Sequence, residues 1–86
     1  MTAKVVVYTT RICAYCVRAK ALLKKRDIPF DEVDVSSDAK TRDWLVEATG
    51  GRKTVPQIFI GGRPIGGFDE LHALDAEGEL AALMNS

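Results

Sequence analysis

The run Lys4–Tyr8, KVVVY, restricts the possible folds of this chain more than any other stretch. Its β-branched residues follow one another without a polar break, as in a strand buried on both faces. Such a strand needs a layer of structure on each side of its sheet. With 86 residues in all, the layers must come from one modest domain, residues 1–86.

The residues that follow read as those layers. CAYCVRAKALLKKR is rich in Ala, Leu, Lys and Arg, which favour a helix, and Lys24, Lys25 and Arg26 suit its C-terminal end. Pro29 stops it. Phe30–Val35 alternates apolar and acidic residues, the pattern of a half-exposed or edge strand. SSDAKTRDWLVEAT opens on capping residues, carries Trp44, Leu45 and Ala48 at helical spacing, and ends at Gly50–Gly51. Trp44 is expected in the core. Gln57–Ile60, the turn Gly61–Gly62 and RPIG form a hairpin, with Pro64 best placed on a sheet edge. FDELHALDAEGELAALM is helical with a break near Gly78, and His72 falls on a helix surface. The order is β-α-β-α-β-β-α, an α/β class, with a right-handed parallel β-α-β unit followed by an antiparallel hairpin.

Charge narrows the function. Twelve basic residues balance twelve acidic ones, so the chain lacks the basic excess of a nucleic-acid or anionic-membrane binder. The first residues lack a signal-peptide pattern, and no run reaches membrane-spanning length. A cytoplasmic protein is expected. In that compartment two cysteines point to catalysis or metal binding before a permanent disulfide.

Cys13 and Cys16 are the only cysteines, and they straddle the start of the first helix. Residues three apart share a helix face, so the two sulfurs come within disulfide range. Cys13 should meet solvent and the free N–H groups of the helix start, which stabilise a thiolate. Cys16 should lie deeper. This asymmetry describes an attacking thiol and a resolving thiol. Arg11 and Arg18 add positive charge nearby. A structural disulfide closing so small a loop would stabilise little. A zinc site needs two more ligands, and His72 is the one nitrogen ligand on offer.

Four motifs carry a family resemblance: YTTRICAYC, TVPQIF (Thr54–Phe59), GGFDEL (Gly66–Leu71) and LDAEGELAALM. Nearly the whole chain resembles a dithiol glutaredoxin of the thioredoxin-like fold, with a central mixed four-stranded sheet flanked by helices. The resemblance implies a glutathione-dependent thiol–disulfide oxidoreductase, acting on protein–glutathione mixed disulfides and on protein disulfides. It makes Cys13 the nucleophile and Cys16 the resolving thiol. It implies a cis Pro56, with the backbone of Val55 exposed beside Cys13. Glutathione would also meet Tyr15, the amides of Phe68 and Asp69, and the Asp69 carboxylate. Arg42 would take the glycine carboxylate, although by itself Arg42 reads as a solvated helix residue.

Two departures from the family pattern stand out. Ala14 replaces the proline of the commonest active site. Where many members carry a lysine three residues before the first cysteine, this chain has Thr10, with Arg11 next to it, so these two are the electrostatic candidates. Glutathione is the expected reductant, and no metal is required for this chemistry. Two alternatives remain: a glutathione-ligated [2Fe–2S] dimer held through Cys13, and a thioredoxin-like reductant fed by a reductase. The oxidoreductase reading implies a monomer, with a dimer only if a cluster binds.

Overall fold

The structure, a computed structural model, describes residues 3–84. Strand β1 (Val5–Thr9) is followed by α1 (Ala14–Lys25), β2 (Asp31–Asp34), α2 (Ala39–Ala48), β3 (Gln57–Ile60), β4 (Arg63–Gly66), α3 (Phe68–Ala76) and α4 (Glu79–Met84). The sheet order is β2-β1-β3-β4, with β1 parallel to β2 and the other pairs antiparallel. This is the central mixed four-stranded sheet that the family resemblance implies.

Strand β1 is interior and buries residues on both faces, as its composition requires. Val5 and Val7 pack with Ala19 and Leu23 of α1, Leu71 of α3, and Leu80 and Met84 of α4. Val6 and Tyr8 turn the other way and pack against Phe59, Val35 and Leu45 of α2. Strand β2 lies on one edge, and the charged residues of its sequence explain why: Asp31, Glu32 and Asp34 are exposed. Strand β4 forms the other edge, where Pro64 leaves no central ladder position without a donor.

Local chemistry ends the elements where the sequence suggests. The Asp38 carboxylate caps α2, accepting from Thr41 N at 3.0 Å and from Thr41 Oγ1 at 2.6 Å. The Arg26 guanidinium forks onto Asp75 at 2.8 and 2.9 Å, tying the end of α1 to α3. That contact holds the Asp75 carboxyl below its ordinary pKa.

The final helical stretch breaks at Gly78, as its sequence suggests, into α3 and α4, and the φ of +75° there suits glycine. One expectation changes. Trp44 is not a core residue but 47% exposed. It stacks on Phe59, with centroids 5.5 Å apart, at the rim of the smaller apolar cluster. Helix α2 is 10 residues long and covers a sheet face whose deepest sites Leu45 and Val35 already fill, so the indole stays at the margin. Among the described residues no helix is long and apolar enough to cross a membrane.

Candidate active site

The loop from β1 delivers Cys13 to the N-cap of α1 in an extended conformation, φ −157° and ψ 104°. From there its Sγ accepts a hydrogen bond from the Cys16 N–H at 3.0 Å. A sulfur thus takes the capping role usually played by a serine or aspartate oxygen. The first turn of α1 holds no acidic residue, so nothing local opposes negative charge on that sulfur. Cys13 and Cys16 are joined as a disulfide, with Cα atoms 5.2 Å apart. Cys13 is half-buried, while Cys16 is only 2% exposed and packs toward the core side of α1. The two cysteines therefore differ in access as their positions on the helix predict.

Across from Cys13 lies the loop that enters β3. The Val55–Pro56 peptide is cis, as the family resemblance implies. The Cys13 Sγ sits 3.6 Å from the Val55 carbonyl oxygen. In the disulfide there is no S–H to donate; after reduction a thiol at this position has an acceptor in reach.

Two cavities meet at this loop. The first, about 270 Å³, is lined by Tyr15, Val55, Pro56, Phe68 and Asp69, together with Arg52, Thr54, Gly67 and Glu70. Five of the residues singled out from sequence thus share one cavity. The Tyr15 and Phe68 rings lie 6.2 Å apart along its wall, and the Arg18 guanidinium sits 5.4 Å from the Tyr15 centroid. The start of α3 opens into this cavity, and the first amides of a helix lack intrahelical acceptors. The second cavity, about 380 Å³, is lined among others by Thr10, Arg42, Asp43, Lys53 and Leu45. Arg52, Thr54 and Val55 line both. Arg42 therefore lines one cavity and Phe68 and Asp69 the other, with the Val55 loop common to both.

Arg11 lines neither cavity. Its backbone N–H donates to Ser36 Oγ at 2.9 Å. Its charge falls on Asp34, whose carboxyl is held low mainly by hydrogen bonds from Ser36 and in smaller part by Arg11.

Sequence reasoning missed a pair of residues here. Arg52 and Glu70 form an ion pair across the mouth of the first cavity. Glu70 Oε1 also accepts from the Gly67 N–H at 3.2 Å, half of a capping box at the start of α3. Both contacts hold the Glu70 carboxyl below its usual range, the hydrogen bond from Arg52 foremost. The Glu three residues after Gly67 was a readable signal for the cap; the partnership with Arg52 was not. Gly66, at φ +126°, belongs to the same arrangement, for a Cβ there would lie 2.6 Å from Glu70 Oε1 and 2.8 Å from Glu70 Cγ. Among the described residues no three His, Cys, Asp or Glu side chains gather as a metal site.

Comparison with known proteins agrees with this geometry. The glutaredoxin family model matches residues 5–65. Glutaredoxin 3 of Escherichia coli is 46% identical over 82 residues, spanning 95% of this chain and 98% of that protein. Among solved structures, a buckwheat glutaredoxin–glutathione complex matches with a TM-score of 0.89 at 28% identity, over 96% of this chain and 77% of that one. The holo form of a glutaredoxin from Populus tremula x tremuloides matches with a TM-score of 0.89 at 37% identity, over 98% and 78%.

Proposed function

Because the chain belongs to the glutaredoxin family and is a thiol–disulfide oxidoreductase, we propose that glutathione is its reductant and that protein–glutathione mixed disulfides are among its substrates. The observation that carries this reading is the position of Cys13. Its Sγ lies 3.6 Å from the carbonyl of Val55, a residue that lines two cavities, one holding Arg42 and the other the start of α3. Glutathione has a carboxylate at each end and its cysteine between them. Its α-carboxylate suits the amides of Phe68 and Asp69. Its ammonium suits the Asp69 carboxylate, and its glycine carboxylate suits Arg42. Tyr15 walls the first site, and the backbone at Val55 and Pro56 lies alongside the thiol. The buckwheat relative, whose structure is a glutathione complex, supports the same reading.

In the proposed cycle the Cys13 thiolate attacks the glutathione sulfur of the mixed disulfide. The Cys13–glutathione bond forms, the protein–sulfur bond breaks, and the protein thiolate leaves and takes a proton. A second glutathione thiolate then attacks that glutathione sulfur, releasing glutathione disulfide and restoring Cys13. On a protein disulfide, Cys13 forms the mixed disulfide and Cys16 displaces the reduced protein, leaving the Cys13–Cys16 bond. Two glutathiones then reduce that bond. The test is turnover of a glutathionylated peptide with glutathione, NADPH and glutathione reductase. Absence of turnover there, with robust turnover when thioredoxin reductase is the electron source, would replace this reading with the thioredoxin-like one.

A further inference from the structure

Strand β3, Gln57–Ile60, is buried along its whole length, yet it begins with an amide. Gln57 is 1% exposed. Its Nε2 donates to the Thr54 carbonyl at 2.8 Å and approaches Thr54 Oγ1 at 3.4 Å. The acceptor decides which end of the amide is which, since a carbonyl requires an N–H opposite it. The other end, Oε1, is buried with no hydrogen-bond partner among the described residues. A buried amide oxygen left unpaired costs stability. Leucine or methionine would fill a similar space beside Tyr8, its cross-strand neighbour, without that cost. The amide is therefore a poor choice for packing alone.

Its one set of bonds goes to the loop beside the reactive thiol. Thr54 immediately precedes Val55, whose carbonyl lies 3.6 Å from Cys13 Sγ. Thr54 and Val55 line both cavities at the site. Thr54 itself is exposed, and the Gln57 amide grips it from the interior. We propose that Gln57 is a positioning residue: its buried amide holds Thr54 from beneath and so sets the Val55 backbone against which a substrate disulfide lies at Cys13. The inference rests on the reading of Cys13 as the thiol that substrate meets. It does not depend on glutathione being the substrate.

The test uses the full chain and two substrates: a glutathionylated peptide with glutathione, and a disulfide-linked peptide with dithiothreitol. Gln57→Met should raise KM about threefold or more for both, leave kcat within about twofold, and keep the denaturation midpoint at or above wild type. Gln57→Glu supplies a readout that packing alone would not move. Its protonated acid can donate to the Thr54 carbonyl, and its carboxylate cannot. Its KM relative to wild type should be near one at pH 6 and should rise on ionisation toward pH 8.5, with folding at both pH values confirmed by circular dichroism. Wild-type KM values in Gln57→Met for every substrate the parent turns over would overturn the proposal, whatever the midpoint does. If the parent itself fails on the glutathionylated peptide, the glutathione reading falls, and the disulfide-linked peptide still decides the role of Gln57.

Discussion

Replacing Ala14 by proline should stabilise the protein, and the geometry explains why. Ala14 is the first residue of α1, where a helix has no acceptor for the backbone N–H. Among the described residues the Ala14 N–H makes no hydrogen bond; the capping interactions use Cys16 N and Val17 N instead. The residue before a proline must be extended, and Cys13 already is, at φ −157° and ψ 104°. The position is exposed, so the ring has room. The substitution breaks no hydrogen bond of the fold, so the gain comes from the unfolded chain, which proline restricts by about 0.4–1 kcal/mol. In a domain of this size that raises the melting temperature by about 2–8 °C. The gain should be larger in the reduced protein, because the Cys13–Cys16 bond already restrains Ala14 in the oxidised unfolded chain. Thermal melts of Ala14→Pro and parent, each with and without excess dithiothreitol, measure both effects. A lower melting temperature in the reduced variant would refute the reasoning, since it would mean that the N–H or the backbone of residue 14 serves the fold.

Other substitutions probe the site and its supports. Cys13→Ser should abolish reduction of the glutathionylated peptide, while Cys16→Ser keeps much of it and loses chiefly protein-disulfide reduction; equal losses in the coupled assay would contradict the division of labour. Arg42→Ala should raise KM for that peptide several-fold, as expected for a solvent-exposed ion pair worth about 1 kcal/mol, and Asp69→Ala should do the same at the other end. Gly66→Ala should destabilise by about 1–3 kcal/mol from its backbone at φ +126°, plus the crowding of Glu70. The crowding part, read from urea midpoints, should shrink in a Glu70→Ala background, where only the Arg52 guanidinium still crowds the new Cβ. The carboxyls of Glu32, Glu70 and Asp75 are held low in the fold, mainly by Lys20, Arg52 and Arg26 respectively. Folded values below unfolded ones stabilise the protein above the ordinary carboxylate range and lose that contribution as pH falls through the folded values. Urea midpoints should therefore hold from pH 7 to about 5 and decline below about 4, and Glu32→Gln should make the decline shallower.

What the sequence reveals about this molecule depends on whether a feature is local. Lys4–Tyr8 announces an interior strand because each of its residues must find cover, and β1 lies between β2 and β3. Phe30–Val35 announces an edge because its acids cannot be buried, and β2 takes one. Cys13 and Cys16 differ in depth because their spacing and the helix start are both visible in ten residues. Trp44 was less legible: its helical spacing shows which way it faces but not how much sheet remains to cover it. Arg52 and Glu70 were not legible as a pair, since 18 residues separate them and only the return of α3 to the Val55 loop brings them together.

The surroundings of Cys13 let the site tolerate a soft helix start. Alanine at position 14 leaves α1 less restrained at its N-terminus than proline would. The reactive sulfur is nevertheless located by a hydrogen bond from Cys16 N, and the Val55 carbonyl lies on its other side. The second of these surroundings depends on the loop, not on the helix. If Gln57 holds that loop from the core, then β3 supplies one of the two supports around Cys13. Combining Ala14→Pro with Gln57→Met separates the two supports. The double variant should keep the higher melting temperature that proline confers and should still show the raised KM of Gln57→Met. Restoration of a wild-type KM by proline would instead mean that the helix start, not the β3 loop, governs how substrate meets the thiol.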